Sequence, residues 1–313
     1  MTRVLVTGAS GFTGQHMIRY LLGLDGDVPE IYGLYQNSTP ARREGCTYIR
    51  GDICDRSRIA ALVNRTSPDT ILHLAGLNRG SLQNLTRINL LGTENLLHAV
   101  VQEGGHARLL VIGSAAEYGY AGTKPISEST PLCPVSDYGI SKVAQDLLTQ
   151  RYHAAYALPA VVARPFNLVG PGQPESFVCG RMVAEAGEIE SGRRRVMELV
   201  SLSARRDFID VRDAVKAYWA IVSHDRFDEE CAGRAFNVGS GLDYSVADLL
   251  SCIEAITGRR YEIALPPSPP PELIPTQICD SSLLHNVTGW RPSIPLHRSL
   301  QDMLRLVQGG VVS

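Results

Sequence analysis

Short apolar runs alternate with amphipathic stretches along the first half of the chain. Val4-Leu5-Val6 is followed, after a glycine-rich turn, by Met17, Ile18, Leu21 and Leu22 at helical spacing. The same rhythm recurs downstream. Ile31-Tyr32-Gly33-Leu34-Tyr35, Tyr48-Ile49-Arg50-Gly51-Asp52-Ile53, Thr70 to Gly76 and Arg108 to Ser114 read as strands. The stretch from Leu82 to Val101, with Leu85, Ile88, Leu96 and Val100 on related faces, reads as one long helix. Such alternation predicts an α/β fold built on a doubly wound parallel, Rossmann-like sheet. From Pro165 onward the pattern loosens into Gly- and Pro-rich loops, the run Arg193-Arg194-Arg195 and the segment Pro266-Pro267-Ser268-Pro269-Pro270-Pro271, which reads as a stiff connector. The expected division is a main domain over 1–164 with a return over 207–241, and a smaller mixed lobe from 165–206 and 242–313.

The turn after the first strand is Thr7-Gly8-Ala9-Ser10-Gly11-Phe12-Thr13-Gly14. Strand, glycine turn and helix start, in that order, are what a dinucleotide pyrophosphate needs. Gly8 permits the tight turn, Gly11 permits close approach to the diphosphate, and Gly14 permits helix to pack on strand, with Ser10, Phe12 and Thr13 beside them. The end of the second strand, where an acid would read a ribose 2′-hydroxyl, carries Tyr35-Gln36-Asn37 instead. No carboxylate there excludes NADP(H), and Arg42 and Arg43 follow, so either NADP(H) or NAD(H) fits. Asp52 and Ile53 after the third strand are placed near the adenine, Asp52 otherwise serving as a helix N-terminal acid. Leu74, Ala75 and Gly76 after the fourth strand allow a cofactor to lie close to the backbone, and Pro165 is expected beside the cofactor as well. His73 reads as a satisfied core histidine, and Asn89 as a contact to backbone or water near the site.

Bulk composition narrows the classes. With 313 residues, 44% hydrophobic and 20% charged, the chain reads as a globular enzyme, and its net charge of -2 offers no attraction to nucleic acid or anionic membrane. No apolar run is long enough to span a bilayer, and with the first strand following directly on Met1-Thr2-Arg3 no signal peptide is expected. Seven unclustered cysteines suggest reduced, mostly buried thiols in a cytoplasmic protein and no metal site.

Tyr138-Gly139-Ile140-Ser141-Lys142 opens a helix whose buried stripe is expected to be Ile140, Val143, Ala144, Leu147 and Leu148. The i, i+4 spacing puts Tyr138 and Lys142 on one face, where an ammonium would stabilise a phenolate and lower the phenol from its usual pKa of about 10. Such a tyrosine exchanges a proton with an alcohol or sugar oxygen while hydride moves to or from nicotinamide. Ser114, at the end of the fifth strand, would hydrogen-bond the same oxygen.

Taken together, these motifs resemble the extended short-chain dehydrogenase/reductase superfamily, the nucleotide-sugar epimerases, dehydratases and reductases. The resemblance covers essentially the whole chain. It also includes His73-Leu74-Ala75-Gly76, Asn89-x-x-Gly92-Thr93, Arg164-Pro165-Phe166-Asn167 with Gly170-Pro171-Gly172-Gln173, Arg206-Asp207-Phe208 with Asp213, and Thr288-Gly289-Trp290-Arg291-Pro292. Within the superfamily the chain is most similar to the GDP-4-dehydro-6-deoxy-D-mannose reductases. That resemblance implies Ser114, Tyr138 and Lys142 as the catalytic trio, with Tyr138 and Lys142 also contacting the cofactor and Lys142 holding the nicotinamide ribose. It implies Ser114, Tyr138, Asn167 and Arg206 as contacts to a nucleotide-sugar substrate, and a homodimer formed through the helices beginning near Leu82 and Tyr138. Read without it, Asn167 is a turn residue and Arg206 a surface partner of Asp207 or Asp210. Ala115 and Ala116 stand where dehydratases carry an acid, and Glu117, one residue later on a strand end, would point away, which disfavours dehydration. Pro269-Pro270-Pro271-Glu272 lacks the arginine with which relatives grip a diphosphate, leaving Arg193, Arg194, Arg195 or Arg206 to compensate. The expected activity is reduction of a 4-keto-6-deoxy nucleotide sugar, the alternatives being a 4-epimerase using the same trio and a non-catalytic dinucleotide sensor.

Overall fold

The computed structural model describes residues 2–26, 28–268 and 271–310. Pro269 and Pro270 of the expected connector lie outside them. The first half runs β1 (Arg3–Thr7), α1 (Phe12–Leu22), β2 (Glu30–Tyr35), β3 (Cys46–Arg50), α2 (Arg56–Thr66), β4 (Thr70–His73), α3 (Leu82–Leu85), α4 (Gly92–Gln102) and β5 (Arg108–Ile112). It continues through α5 (Asp137–Tyr156), β6 (Ala160–Pro165), β7 (Asn167–Val169), α6 (Val178–Glu190), β8 (Val196–Glu198), β9 (Arg205–Asp210) and α7 (Val211–Val222). The remainder is α8 (Phe227–Glu230), β10 (Ala235–Val238), β11 (Asp243–Ser245), α9 (Val246–Thr257), β12 (Glu262–Ala264), β13 (Thr276–Gln277), α10 (Ser282–Thr288) and α11 (Leu296–Val307).

Val4, Leu5 and Val6 are wholly buried because β1 lies inside a seven-stranded sheet of order β10-β6-β5-β4-β1-β2-β3, parallel throughout. Parallel strands need helices on both faces. On one face α1 and α7 pack Met17, Ile18, Leu21, Ala214, Val215 and Tyr218 against the sheet. On the other, α2, α4 and α5 supply Ile59, Leu62, Leu96, Leu97, Val100 and Tyr152. The chain winds one way from β1 to β3 and the other way from β4 to β10, so the strand order reverses between β1 and β4. A crevice opens at the carboxyl ends there, which is where open α/β sheets bind ligands.

The doubly wound sheet is as the sequence predicts, with a second, mixed sheet beside it. That sheet joins β7, β9, β11 and β13, and β8 pairs with β12. Behind it α6, α9 and α11 bury Met182, Leu249, Ile253, Leu300 and Met303. Residues 205–210 lie in this second sheet, so the chain returns to the main sheet through α7 and β10.

Two helices differ from expectation. Between α3 and α4, Thr86–Leu91 forms a π-helical turn, so the stretch from Leu82 is three joined pieces. In α5 the buried face is polar: Ser141, Lys142, Gln145, Asp146 and Thr149 are buried, while Ile140 and Leu147 are 46% and 55% exposed. Of the stripe expected to face the core, Ile140 and Leu147 face outward while Val143, Ala144 and Leu148 are half-buried, Leu148 against the core, because the inner positions belong to a hydrogen-bonded network under the crevice. The cysteines are all free; Cys179, Cys231 and Cys279 are buried, Cys133 is exposed and the rest are half-buried, so burial is less general than expected. Among the described residues no helix is long and apolar enough to cross a membrane.

Candidate active site

Gly8 sits at φ 71°, a left-handed conformation that glycine adopts without strain, and a Cβ there would stand 2.8 Å from the Leu74 carbonyl oxygen. The turn therefore packs directly on the β4 loop, and α1 starts beside the crevice. Gly11, its N-cap, offers no side-chain acceptor, which leaves the first-turn N–H groups available to an anion. The crevice is lined by nine of the expected residues: Gly8, Ser10, Gly11, Tyr35, Gln36, Ile53, Leu74, Ala75 and Gly76. Asn37, Ser38, Leu77 and Ile88 join them without having been singled out as contacts. Asn37 and Ser38 simply continue the β2 rim past Gln36, so chain continuity was the available signal. Phe12 and Thr13 stand half-buried in the first turn of α1 and Gly14 is buried behind them. Phe12 meets His16 edge-on. Asp52 is half-buried, with its Oδ1 accepting the Cys54 N–H at 2.9 Å, and Asp55 is the residue that caps α2. Pro165 is buried at the end of β6.

Ser114 follows β5 and caps a 3₁₀ turn over Ala115–Glu117, its hydroxyl accepting the Ala116 N–H at 3.1 Å. The start of α5 lies against that turn. A Cβ on Gly139 would come within 2.6 Å of the Ala116 carbonyl oxygen, so only glycine allows this approach. Tyr138 is thereby brought toward Ser114, whose side chain favours the phenolate. Burial acts the other way and is larger, so the phenol is pushed up to about 12. The expected lowering by Lys142 is not what the structure shows. Its Nζ stands 5.9 Å from the centre of the Tyr138 ring and is spent on the Ile112 carbonyl oxygen at 2.7 Å and Gln145 Oε1 at 2.8 Å. Burial brings the Lys142 ammonium down to about 8, with Glu117 opposing. Tyr138 is half-buried, not sealed in the interior.

A network holds Lys142 to the cofactor turn. Gln145 Nε2 donates to Thr93 Oγ1 at 2.7 Å, Thr93 donates to the Asn89 carbonyl at 2.6 Å, and His73 Nε2 lies 2.9 Å from the same hydroxyl. Because the Thr93 proton goes to Asn89, His73 Nε2 must donate, and Nδ1 then accepts from Thr7 Oγ1 at 2.7 Å. Thr7 in turn accepts the Ala75 N–H at 3.1 Å. His73 is the satisfied core histidine that its apolar strand suggested, held by burial down to about 3. Asn89 contacts backbone, as expected: Oδ1 accepts the Leu77 N–H at 2.7 Å, Nδ2 donates to the Leu77 carbonyl at 2.8 Å, and it reaches Ser141 at 2.9 Å. The π-turn that carries Asn89, and the part played by Gln145, had no signal in spacing.

Glu117 turns away from the crevice, though not for the reason expected. Its segment is a 3₁₀ turn, not a strand end, and a capping box draws its Oε1 to the Ser114 N–H at 2.7 Å. On the substrate side Asn167 Nδ2 donates to the Asp207 carbonyl at 3.2 Å. Arg206 is half-buried and pairs with Glu272 at 3.2 Å, not with Asp207 or Asp210. Those two acids are taken, Asp207 by Ser240, Gly241 and Cys279, and Asp210 by Arg212 and Ser299. Arg194 is held by Glu185, Glu188 and Glu198, so it is not a free clasp.

Residues 4–239 match the model of the NAD dependent epimerase/dehydratase family. The GDP-6-deoxy-D-mannose reductase of Pseudomonas aeruginosa is 31% identical over 317 residues, covering 96% of each chain. The GDP-6-deoxy-D-talose 4-dehydrogenase of Aggregatibacter actinomycetemcomitans is 30% identical, over 92% of this chain and 91% of the relative. Among solved structures, RMD from Pseudomonas aeruginosa complexed with NADPH superposes with a TM-score of 0.84 at 28% identity, covering 99% of both chains.

Proposed function

The chain belongs to the NAD dependent epimerase/dehydratase family, and from that premise we propose that it is an NADPH-dependent reductase of a 4-keto-6-deoxy nucleotide sugar. It is an NAD(P)-dependent enzyme of nucleotide sugars, and the residues of the crevice fit a dinucleotide: an uncapped helix start, a glycine turn and a rim of backbone. Ser10, Gly11 and the first turn of α1 would hold the diphosphate, and Tyr35, Gln36, Asn37 and Ser38 the adenosine ribose. That rim carries no carboxylate to repel a 2′-phosphate, and the Pseudomonas RMD structure contains NADPH, which together favour NADP(H) over NAD(H).

When bound, the reduced nicotinamide supplies hydride for the C4 carbonyl carbon of the sugar. Tyr138 gives its proton to the C4 oxygen as charge develops there, and its high pKa keeps that proton in place at neutral pH. Ser114 donates a hydrogen bond to the same oxygen and stabilises the developing alkoxide. Lys142 would hold the nicotinamide ribose, its Nζ kept in place by the Ile112 carbonyl and Gln145. Asn167 and Arg206 contact the nucleotide sugar, with Glu272 as the partner Arg206 exchanges for the diphosphate.

One observation carries the reading of reduction over elimination. Ala115 and Ala116 follow Ser114, and the neighbouring carboxyl, Glu117, is buried beneath the turn with its Oε1 on the Ser114 N–H. No acid from this segment reaches a leaving hydroxyl. The test is to mix purified protein with NADPH and GDP-4-keto-6-deoxymannose and follow reduced-nicotinamide absorbance. Consumption matched to a 6-deoxy sugar product supports reduction. Interconversion of two UDP-sugars without added cofactor, by protein that retains NAD, overturns it in favour of the 4-epimerase.

The outward apolar stripe supports a homodimer. Leu82 and Leu91, on α3 and the π-turn, and Ile140, Leu147 and Tyr156 on α5 are all exposed, and pairing these helices across a two-fold axis would cover them.

A further inference from the structure

Glu117 and Asp146 lie buried at 0% exposure around one guanidinium, Arg164. The hydrogen of Arg164 Nε goes to Asp146 Oδ2 at 2.8 Å, Nη2 reaches the same oxygen at 2.7 Å, and Nη1 donates to Tyr118 at 2.9 Å. Glu117 Oε2 stands 3.0 Å from Nε yet receives no hydrogen bond, and it is sealed from solvent. An ionised carboxylate oxygen in that position would be unpaired, beside a second carboxylate oxygen, Asp146 Oδ2, that crowds the same Arg164 nitrogen. A proton on Oε2, donated to Asp146, removes both penalties at once. The other titratable groups facing Glu117 are Tyr118, whose hydroxyl bonds Asn237 and Arg164, and Tyr138 and Lys142 of α5.

We propose that Glu117 is a neutral carboxylic acid in the folded protein, sharing its proton with Asp146 over Arg164, and that in this form it is the positioning residue that holds the Ser114 backbone. The role rests on the assignment of Ser114 to the reacting oxygen. With Oε1 on the Ser114 N–H and Oε2 on Asp146, Glu117 ties the strand-end turn to α5, which carries Tyr138 and Lys142. The turn and the helix thus keep one spacing. Burial and the Asp146 charge raise Glu117 well above the ordinary carboxylate range, in keeping with this arrangement.

Infrared difference spectra of the whole protein, recorded as pH rises from about 6 to about 10, test the protonation without any substrate. The expected result is a protonated-carboxyl carbonyl band that bleaches on titration and is missing from Glu117→Gln. Melting gives a second readout. Between the ordinary carboxylate pKa and the raised one the unfolded chain has released a proton the fold retains, so stability falls as pH rises, and Glu117→Gln flattens that slope. Absence of the band, or a slope unchanged in the variant, overturns the protonation whatever the enzyme's substrate is. For the positioning role, Glu117→Ala is expected to lose about tenfold or more in kcat with KM within about twofold, and Glu117→Gln to recover most of the loss. Equal turnover in the two variants overturns that role, whereas a wild-type protein inactive on every keto sugar overturns only the proposed reaction.

Discussion

Replacing Tyr138 by Phe removes one oxygen, and on this account it removes the proton donor and little else. Turnover is expected to fall about 10²–10⁴-fold with the melting temperature nearly unchanged, checked by steady-state kinetics beside calorimetry. Arg164 presents the opposite case. Arg164→Leu strips the cation from two buried carboxyls and is expected to destabilise the fold by about 3–5 kcal/mol in denaturant titration. His73 contributes a pH dependence of known sign. Its folded pKa, about 3, lies below the unfolded one, so the unfolded state binds the extra proton and stability is lost as pH falls below about 6.5. By about pH 4 the loss is on the order of 3 kcal/mol, and His73→Gln should reduce the difference in unfolding free energy between neutral and acid solution. Ser114, Tyr138 and Lys142 were legible because local spacing places them at a strand end and on one helix face. The direction of the Tyr138 shift was not, because it comes from burial, which depends on how α5 packs against the Ser114 turn, a tertiary event.

Among the elements, α5 is the most informative departure. An apolar stripe of period near four predicts which residues share a face, but not whether that face meets the chain's own core or another molecule. Here the inner face is polar and satisfied, with Lys142, Gln145, Asp146 and Thr149 all hydrogen-bonded, so Ile140 and Leu147 were free to turn outward. The double variant Ile140→Lys and Leu147→Lys puts charge on positions already exposed in one chain. It is expected to fold and to sediment as a monomer, with the wild type expected to sediment as a dimer; a dimeric double variant would contradict the proposed interface. The π-turn at Thr86–Leu91 was illegible for a related reason. Its extra residue per turn turns Asn89 onto the Leu77 backbone and Ser141, and nothing in a hydrophobic pattern of period 3.6 marks the insertion.

At the scale of the whole molecule, the first half was readable almost entirely from strand and helix alternation, because a parallel sheet buried on both faces needs continuous apolar strands. The second lobe was less so. Its strands are two to six residues long and pair across distant sequence, as β9 does with β7, β11 and β13, which leaves no local signature of register. Arg206 found Glu272 for the same reason, a partner 66 residues away. The cofactor turn lines the crevice where the strand order reverses, Lys142 Nζ lies beside Gly76 on its wall, and the start of α5 packs on the Ser114 turn, a convergence of three segments. The central claim is that this convergence passes hydride to a keto sugar and a proton from Tyr138. The most direct measurement is the stoichiometry of NADPH oxidation with GDP-4-keto-6-deoxymannose, in wild type and Tyr138→Phe. The account predicts one NADPH consumed per 6-deoxy sugar formed, with the variant nearly inactive. Turnover by the variant at the wild-type rate, or no NADPH consumed with any 4-keto nucleotide sugar, would contradict it.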